Sequence, residues 1–310
     1  MKAVGFTEFG GPETLQVLEL PTPEAGAGEV RIRVHAATVN AVDALQRSGP
    51  SGPPGAQPPF VPGMDTAGVV DQIGPGTDTE LRVGDRVMAI VVPSGSHGAY
   101  AEQVVVPAES VVRAPYGATD AQAASLPMNG LAARLALDTL DLKPGQTVAI
   151  TGAAGAVGGY AVQLAKADGL RVVADASEPD EALIKGLGAD VVLRRGAEYP
   201  NRVRAEIPDG VDGLVDGALL GALTARAVRD GGRVTTLRGF DGPGERNVIF
   251  EPIVVFRYAR ERAKLDRLRQ QVEEGRITLR VARTFPAEQA AEAHRILASG
   301  GVRGRLILTF

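Results

Sequence analysis

The sequence predicts an α/β fold in two parts, one rich in short β-strands and one built as a doubly wound parallel sheet. Three observations predict it. Up to about Pro115 the chain runs as short apolar stretches broken by glycine and proline turns. From about Ala121 to Phe250 strand patterns alternate with helix patterns, the rhythm of a parallel sheet with helices on both faces. Within that alternation lies TGAAGAVGGYAVQLAK, residues 151–166, a glycine-rich turn between an apolar strand and a helix face marked by Val157, Tyr160, Ala161, Leu164 and Ala165.

In chain order, the β-rich part is expected to hold strands at residues 30–34, 67–73 and 86–91, separated by turn signals at Pro75-Gly76, Val83-Gly84-Asp85 and Pro93-Ser94-Gly95. Residues 49–62, GPSGPPGAQPPFVP, carry too many prolines for a hydrogen-bonded ladder and read as a surface loop. The alternating part reads as a strand at 147–150, a helix at 157–168, a strand from Arg171, a helix near 180–187 and a strand from Val191. It continues with a strand from Leu214, a helix near 219–229, a strand from Arg233 and a final apolar strand at 247–256. Residues 257–276 mix charges at helical spacing with Leu265, Leu268 and Val272 on one face, the pattern of a solvated amphipathic helix. A last helix at 287–298 and a strand from Gly304 are expected to return to the first part. The predicted domains are therefore 1–121, completed by 257–310, around an inserted 122–256.

Composition limits the chemistry. The 310 residues are 44% hydrophobic, enough for a large core, and carry a net charge of −4 without a basic block, so nucleic acid is not an expected partner. No run of 18 apolar residues occurs and the start, MKAVGFTEFGGPE, lacks the features of a secretory signal, so no membrane association is expected and the cytoplasm is the expected compartment. Cysteine is absent, which excludes disulfides, thiolate nucleophiles and thiolate-bound metals.

The glycine turn has a specific chemistry. Gly152, Gly155 and Gly158 remove side chains where the backbone turns tightly, with Ala153, Ala154, Ala156 and Val157 between them, and the N–H groups of the first helical turn suit a pyrophosphate. Placed between strand and helix in a run of βα units, this is the fingerprint of a Rossmann dinucleotide site, although the same glycines would also serve close helix-sheet packing. The end of the second strand should separate NADH from NADPH. Asp175 is placed as an acid for the ribose 2′-hydroxyl, yet Ala176 and Ser177 after it would accept a 2′-phosphate, and Arg194 or Arg195 at the end of the third strand can add positive charge or remain solvated. NADPH is the expected cofactor and NADH the alternative.

With these motifs stand MKAVGFTEFGGPETLQV at the start, TVNAVDALQRSG (38–49), PGMDTAGVV (62–70), VGDRV (83–87), HGAYAE (97–102), LPMNGLAA (126–133) and GVRGRLIL near the end. Together, in this order and spacing, they resemble the medium-chain dehydrogenase/reductase superfamily, in particular its zinc-independent quinone oxidoreductase branch. The resemblance implies a GroES-like β-rich catalytic domain made from both chain ends, a Rossmann domain between them, an active site in the cleft and dimers formed through the last strand of the Rossmann sheet. In zinc-using relatives a histidine follows the glycine where this chain has Gly63-Met64-Asp65; methionine is no zinc ligand, and the only histidines are His35, His97 and His294. No metal ligands are predicted. His35 and His294 read as structural, and His97, in a glycine-flanked loop, as structural or facing substrate.

By the same resemblance Asn40 matches an asparagine near substrate and nicotinamide, and Asp43 the acid that accompanies it; alternatively Asn40 caps the following helix and Asp43 bonds backbone or Arg47. A tyrosine found in some members is Leu45 here, and a threonine is Ala132, so no side-chain proton donor is named. Arg195 matches a tyrosine near the 2′-phosphate in NADPH-using relatives. The expected function is hydride transfer from NADPH to quinones or α,β-unsaturated carbonyls, whose conjugated carbonyl spreads the developing charge without a metal. An enoyl-thioester reductase and a non-catalytic NADPH-binding regulator are the alternatives. The apolar edge at 247–256 is expected to pair with a second copy as a homodimer.

Overall fold

The computed structural model describes residues 1–49, 56–237, 239–242 and 245–310. The chain opens with β1 (Lys2–Gly5) and β2 (Gln16–Glu19), an antiparallel pair. Next come β3 (Glu29–Val39), α1 (Ala41–Ser48), β4 (Asp65–Ile73), β5 (Arg86–Ile90), β6 (Gln103–Pro107), β7 (Val111–Arg113) and α2 (Asp120–Ala124). After α3 (Pro127–Leu140) the alternation begins: β8 (Thr147–Thr151), α4 (Ala156–Ala167), β9 (Arg171–Ala176), α5 (Glu181–Gly186), β10 (Val191–Arg194), α6 (Tyr199–Glu206), β11 (Val211–Asp216), β12 (Val228–Thr236) and β13 (Ile249–Pro252). The chain closes with α7 (Arg262–Glu273), β14 (Val281–Pro286), α8 (Ala290–Ser299) and β15 (Arg305–Thr309).

Two compact units result. The first comprises Met1–Met128, Phe256–Glu273 and Leu279–Phe310, and the second Asn129–Val255 with Glu274–Thr278. In the first unit β3 is the organising strand. Its early residues alternate buried and partly exposed, while Ala36 to Val39 are all buried because β4 and β15 pair with it on either side. The seven-stranded sheet runs β14-β15-β3-β4-β5-β7, with β6 also paired to β3. The final strand thus returns to the first unit and adds antiparallel to β3, Leu306 opposite Val39.

The second unit is a parallel sheet of order β10-β9-β8-β11-β12-β13. Val148, Ile150, Val172, Ala174 and Leu214 are fully buried, as expected of parallel strands covered on both faces. Chain order proceeds from β8 outward through β9 to β10 and then resumes at β11 on the other side of β8. The strand order therefore reverses between β8 and β11, and the crevice at the carboxyl ends of those two strands is where doubly wound sheets bind ligands.

The structure differs from the sequence pattern in three elements. The helix expected near 219–229 is instead a tight 3₁₀ turn, Gly221–Ala227. Leu219 and Gly221 both have positive φ, which prevents helix propagation, and Val228 and Arg229 belong to β12. The strand expected at 247–256 is only Ile249–Pro252, because its register on β12 ends at Pro252 and Val255–Tyr258 coils into 3₁₀ helix. Helix α6 has no counterpart in the sequence periodicity: it buries only Tyr199, Pro200 and Val203, too few apolar positions to mark a face. The proline-rich loop lies partly outside the described residues, at 50–55. No helix among the described residues is long and apolar enough to cross a membrane.

Candidate active site

Two constellations carry chemistry, one in each unit. In the second unit β8 ends at Thr151 and the chain turns through Gly152, whose φ of +66° is a left-handed conformation that glycine adopts without strain. Gly155 caps α4, and the first-turn N–H groups of Ala156 and Val157 have no carbonyl one turn earlier inside the helix to accept them. At Gly158 a Cβ would lie 2.3 Å from the Gly152 carbonyl oxygen and 2.8 Å from the Ala153 Cα, so this glycine is required for the helix to approach the turn. At Gly155 an added Cβ would meet only the Gly152 oxygen, at 3.0 Å, and otherwise open space. The turn thus combines a packing requirement at Gly158 with an open face at Gly155.

Asp175 sits at the end of β9 but does not face outward. It is buried, and its carboxylate accepts from the Ala153 N–H at 2.9 Å. Burial raises its pKa, while hydrogen bonds from the Ala153 and Gly152 N–H groups and the positive charge of Arg195 oppose the rise. The expectation of a ribose acid therefore meets a carboxylate already engaged in shaping the turn. Ser177 donates to Asp180, and Arg194 lies 3.8 Å from Glu178. Arg195 is exposed, its main-chain N–H is bonded to the Ala176 carbonyl at 2.8 Å, and its guanidinium makes no ion pair or hydrogen bond among the described residues.

In the first unit the sequence residues Asn40 and Asp43 are brought together by the start of α1. Asn40 occupies the N-cap position, and its N–H donates to Asp43 Oδ2 at 2.7 Å. Asp43 also accepts from Tyr100 Oη at 3.0 Å and the Gly63 N–H at 3.3 Å. Arg47 is not its partner but donates to the Gly10 carbonyl. Asn40 Nδ2 donates to Asp65 Oδ2 at 2.8 Å, Arg305 donates to Asn40 Oδ1, and Asp65 Oδ1 accepts from the Met128 N–H at 2.5 Å. Asn40 is only 1% exposed, so its carboxamide is committed to protein partners and is not aimed at solvent. Asn40 thus stands at the N-cap position with its carboxamide held by Asp65 and Arg305, and Asp43 binds the Asn40 and Gly63 N–H groups together with Tyr100.

Burial dominates the electrostatics of this cluster. It pushes Asp43 up to about 7, against the Asn40 N–H, Tyr100 and Arg305, with Asp65 adding to the rise. Asp65 is also raised by burial, although Arg305 and Asn40 favour its charge. His294 contacts Tyr100 Oη through Nε2 at 3.2 Å, and burial helped by Arg47 lowers it to about 4, so it is neutral near pH 7. With Asp43 ionised, Tyr100 donates to it and His294 Nε2–H donates to Tyr100. Asp65, Tyr100 and Arg305 all lie within the quoted motifs; the signal that could have found Asp65 and Arg305 is a charged side chain in an otherwise buried strand, and Tyr100 lies in the bend before β6. His35 pairs with Asp120 at 2.9 Å, and His97 sits in a two-residue bridge with Ser94. Among the described residues no group of three or more His, Asp or Glu is placed to hold a metal ion.

Comparison with known proteins locates this architecture. Residues 26–116 match the alcohol dehydrogenase GroES-like domain and residues 187–308 the zinc-binding dehydrogenase domain. The chain is 30% identical to the quinone oxidoreductase of Sus scrofa, over 99% of this chain and 97% of that one. It is 29% identical to the chloroplastic NADPH-dependent alkenal/one oxidoreductase of Arabidopsis thaliana, over 99% of this chain and 79% of that protein. A mycobacterial protein solved with NADPH has the same fold, with a TM-score of 0.85 at 30% identity and complete coverage of both chains.

Proposed function

We propose, from the premise that this chain belongs to the quinone oxidoreductase family, that it reduces quinones or related α,β-unsaturated carbonyls with NADPH and without a catalytic metal. The observation that carries the reading is the turn at Gly152 to Gly158, placed where the strand order reverses and opening α4 with outward N–H groups. The turn fits a dinucleotide because the Gly155 face is open where a Cβ would otherwise stand. A bound nicotinamide supplies the hydride; the chain supplies placement and charge. Gly155, Ala156, Val157 and Gly158 hold the pyrophosphate, with Gly152, Ala153 and Ala154 forming the approach.

Asp175 supports the preference for NADPH by its orientation. A carboxylate turned toward the Gly152 and Ala153 N–H groups shapes the turn and does not confront a 2′-phosphate. The exposed Arg195 then supplies the charged contact to the phosphate, beside Ser177, whose hydroxyl donates to Asp180. Arg195→Ala should weaken NADPH binding about tenfold to a hundredfold, the scale of hydrogen bonds to charged groups, and leave NADH nearly unchanged. Dissociation constants for both cofactors at one ionic strength decide it. A wild type that prefers NADH, or equal losses for both cofactors, would return Arg195 to the role of a surface residue.

Asn40 and Asp43 act as positioning residues. Their hydrogen bonds fix α1 against the segment around Gly63 and against β15, so the first unit presents a fixed surface to the acceptor. Metal-free chemistry is supported by the residue inventory: no cysteine, a methionine at position 64, and three histidines engaged separately. Rates with 1,4-benzoquinone, 9,10-phenanthrenequinone and crotonyl-CoA test the substrate class. Preference for the thioester would make it an enoyl reductase, and tight NADPH binding with negligible turnover of all three would make it a regulator.

Strand β13 is the last of the parallel sheet and has no further strand beside it among the described residues; Ile249 on it and Val254, just past its end, are roughly half exposed. A second copy pairing there forms a homodimer. Light scattering should give twice the chain mass, and a well-folded monomer at working concentrations would remove this part of the reading.

A further inference from the structure

Leu219 combines features that the fold alone does not explain. It follows β11 in the loop to the 3₁₀ turn, its φ is +61°, and 47% of its surface is exposed. A left-handed backbone disfavours any residue with a Cβ, and glycine would adopt it without strain. A half-exposed leucine also gains little from burial. Neither backbone nor packing therefore selects leucine at this position.

The strained geometry is held from both sides. Asp216, buried at the end of β11, accepts from Thr151 Oγ1 at 2.7 Å, from the Leu220 N–H at 3.1 Å and from the Gly221 N–H at 2.9 Å. Thr151 Oγ1 in turn accepts from the Ala218 N–H at 2.9 Å. The N–H groups of the residues on either side of Leu219, Ala218 and Leu220, are thus tied to the ends of two neighbouring strands, β8 and β11, and the residue between them takes the conformation that remains. Strain over-determined by its surroundings in this way marks functional sites.

The loop also touches the glycine turn. A Cβ on Gly152 would lie 2.8 Å from the carbonyl carbon and oxygen of Gly217 and 3.1 Å from the Ala218 nitrogen. Both segments stand at the carboxyl ends of β8 and β11, on either side of the reversal in strand order. A dinucleotide laid across that point has its pyrophosphate on the Gly152 to Gly158 turn. Its adenosine half extends over β9 and β10, where Ser177 and Arg195 lie, so its nicotinamide half extends over β11 and β12, beyond Leu219.

We propose that Leu219 is a strained clamp whose side chain is held out by Asp216 and Thr151 to cover an apolar face of the nicotinamide half of the bound dinucleotide. The proposal rests on the dinucleotide reading given above. Its signature is opposite effects on fold and ligand. Leu219→Gly relieves the backbone and should raise the melting temperature by about 2 to 4 °C, yet weaken NADPH binding by about fivefold to tenfold. Leu219→Ala keeps the strain and loses the contact, so NADPH should weaken comparably without the gain in melting temperature.

Binding of 2′,5′-ADP, which carries only the adenosine half, separates this from a general disturbance of the site. Its dissociation constant should stay within about twofold of wild type in both variants, with titration calorimetry as the readout. Unchanged NADPH affinity in Leu219→Gly, equal losses for NADPH and 2′,5′-ADP, or a lowered melting temperature would each overturn the clamp. A wild type that binds neither NADPH, NADH nor 2′,5′-ADP would overturn the dinucleotide reading itself, and the clamp with it.

Discussion

Arg305→Met should lower the unfolding free energy by about 3 to 5 kcal/mol, the scale for removing one partner of a buried charge pair. Arg305 is buried, donates to Asn40 Oδ1, and its charge favours the ionised form of Asp65, whose carboxylate is itself fully buried. Without the guanidinium, Asp65 is left with the Asn40 amide and the Met128 N–H as donors, and its already raised pKa rises further. The sign of the pH dependence follows. A carboxyl whose folded pKa lies above its unfolded value contributes stability that is present at low pH and is lost as pH rises through the folded pKa. The variant's deficit should therefore be smaller near pH 5, on the side that favours the protonated Asp65 carboxyl, than near pH 8. Urea unfolding at the two values measures it. An equal deficit at both, or none at either, would show that Arg305 and Asp65 do not act as an electrostatic pair.

Gly158→Ala is expected to cost about 1 to 3 kcal/mol of stability, since the added Cβ meets main-chain atoms that cannot step aside without moving the turn. NADPH affinity should fall at least tenfold with it, because the displaced turn carries the pyrophosphate N–H groups. Gly155→Ala provides the contrast. Its φ of −71° suits alanine and its Cβ would crowd only one oxygen, at 3.0 Å, so the melting temperature should stay close to wild type. The methyl nevertheless stands on the open face where the pyrophosphate is proposed to lie, and NADPH binding should weaken by about tenfold. Thermal unfolding and cofactor titration on the two variants separate packing from binding. Full NADPH affinity in Gly155→Ala would move the pyrophosphate off this face.

The parts of the site that were legible in the sequence are those made by local chain. Strand, turn and helix around Gly152 to Gly158 lie within about twenty residues, so apolar periodicity and glycine spacing specify them together. The alternation of strands and helices likewise indicated a parallel sheet, and the return of the last strand to the first part followed from the interrupted pattern. Where local signals are weak, as in α6 and the segment after β11, periodicity does not specify the element. There the outcome depended on Asp216 and Thr151 fixing peptides that carry no periodic pattern of their own.

By itself the sequence determined the fold class, the glycine turn and the absence of cysteine chemistry, while Asn40 and Asp43 were marked by the family resemblance. Only the tertiary structure decided what those residues face. Arg305 meets Asn40 across a separation of 265 positions, and Tyr100 meets His294 across 194, distances over which no local propensity acts. Asp175 illustrates the same point at closer range: its place at the end of β9 is a matter of sequence, but its direction was set by the Ala153 N–H, 22 positions away. A buried carboxylate turns toward the donors that can replace water, and only packing determines where those donors stand.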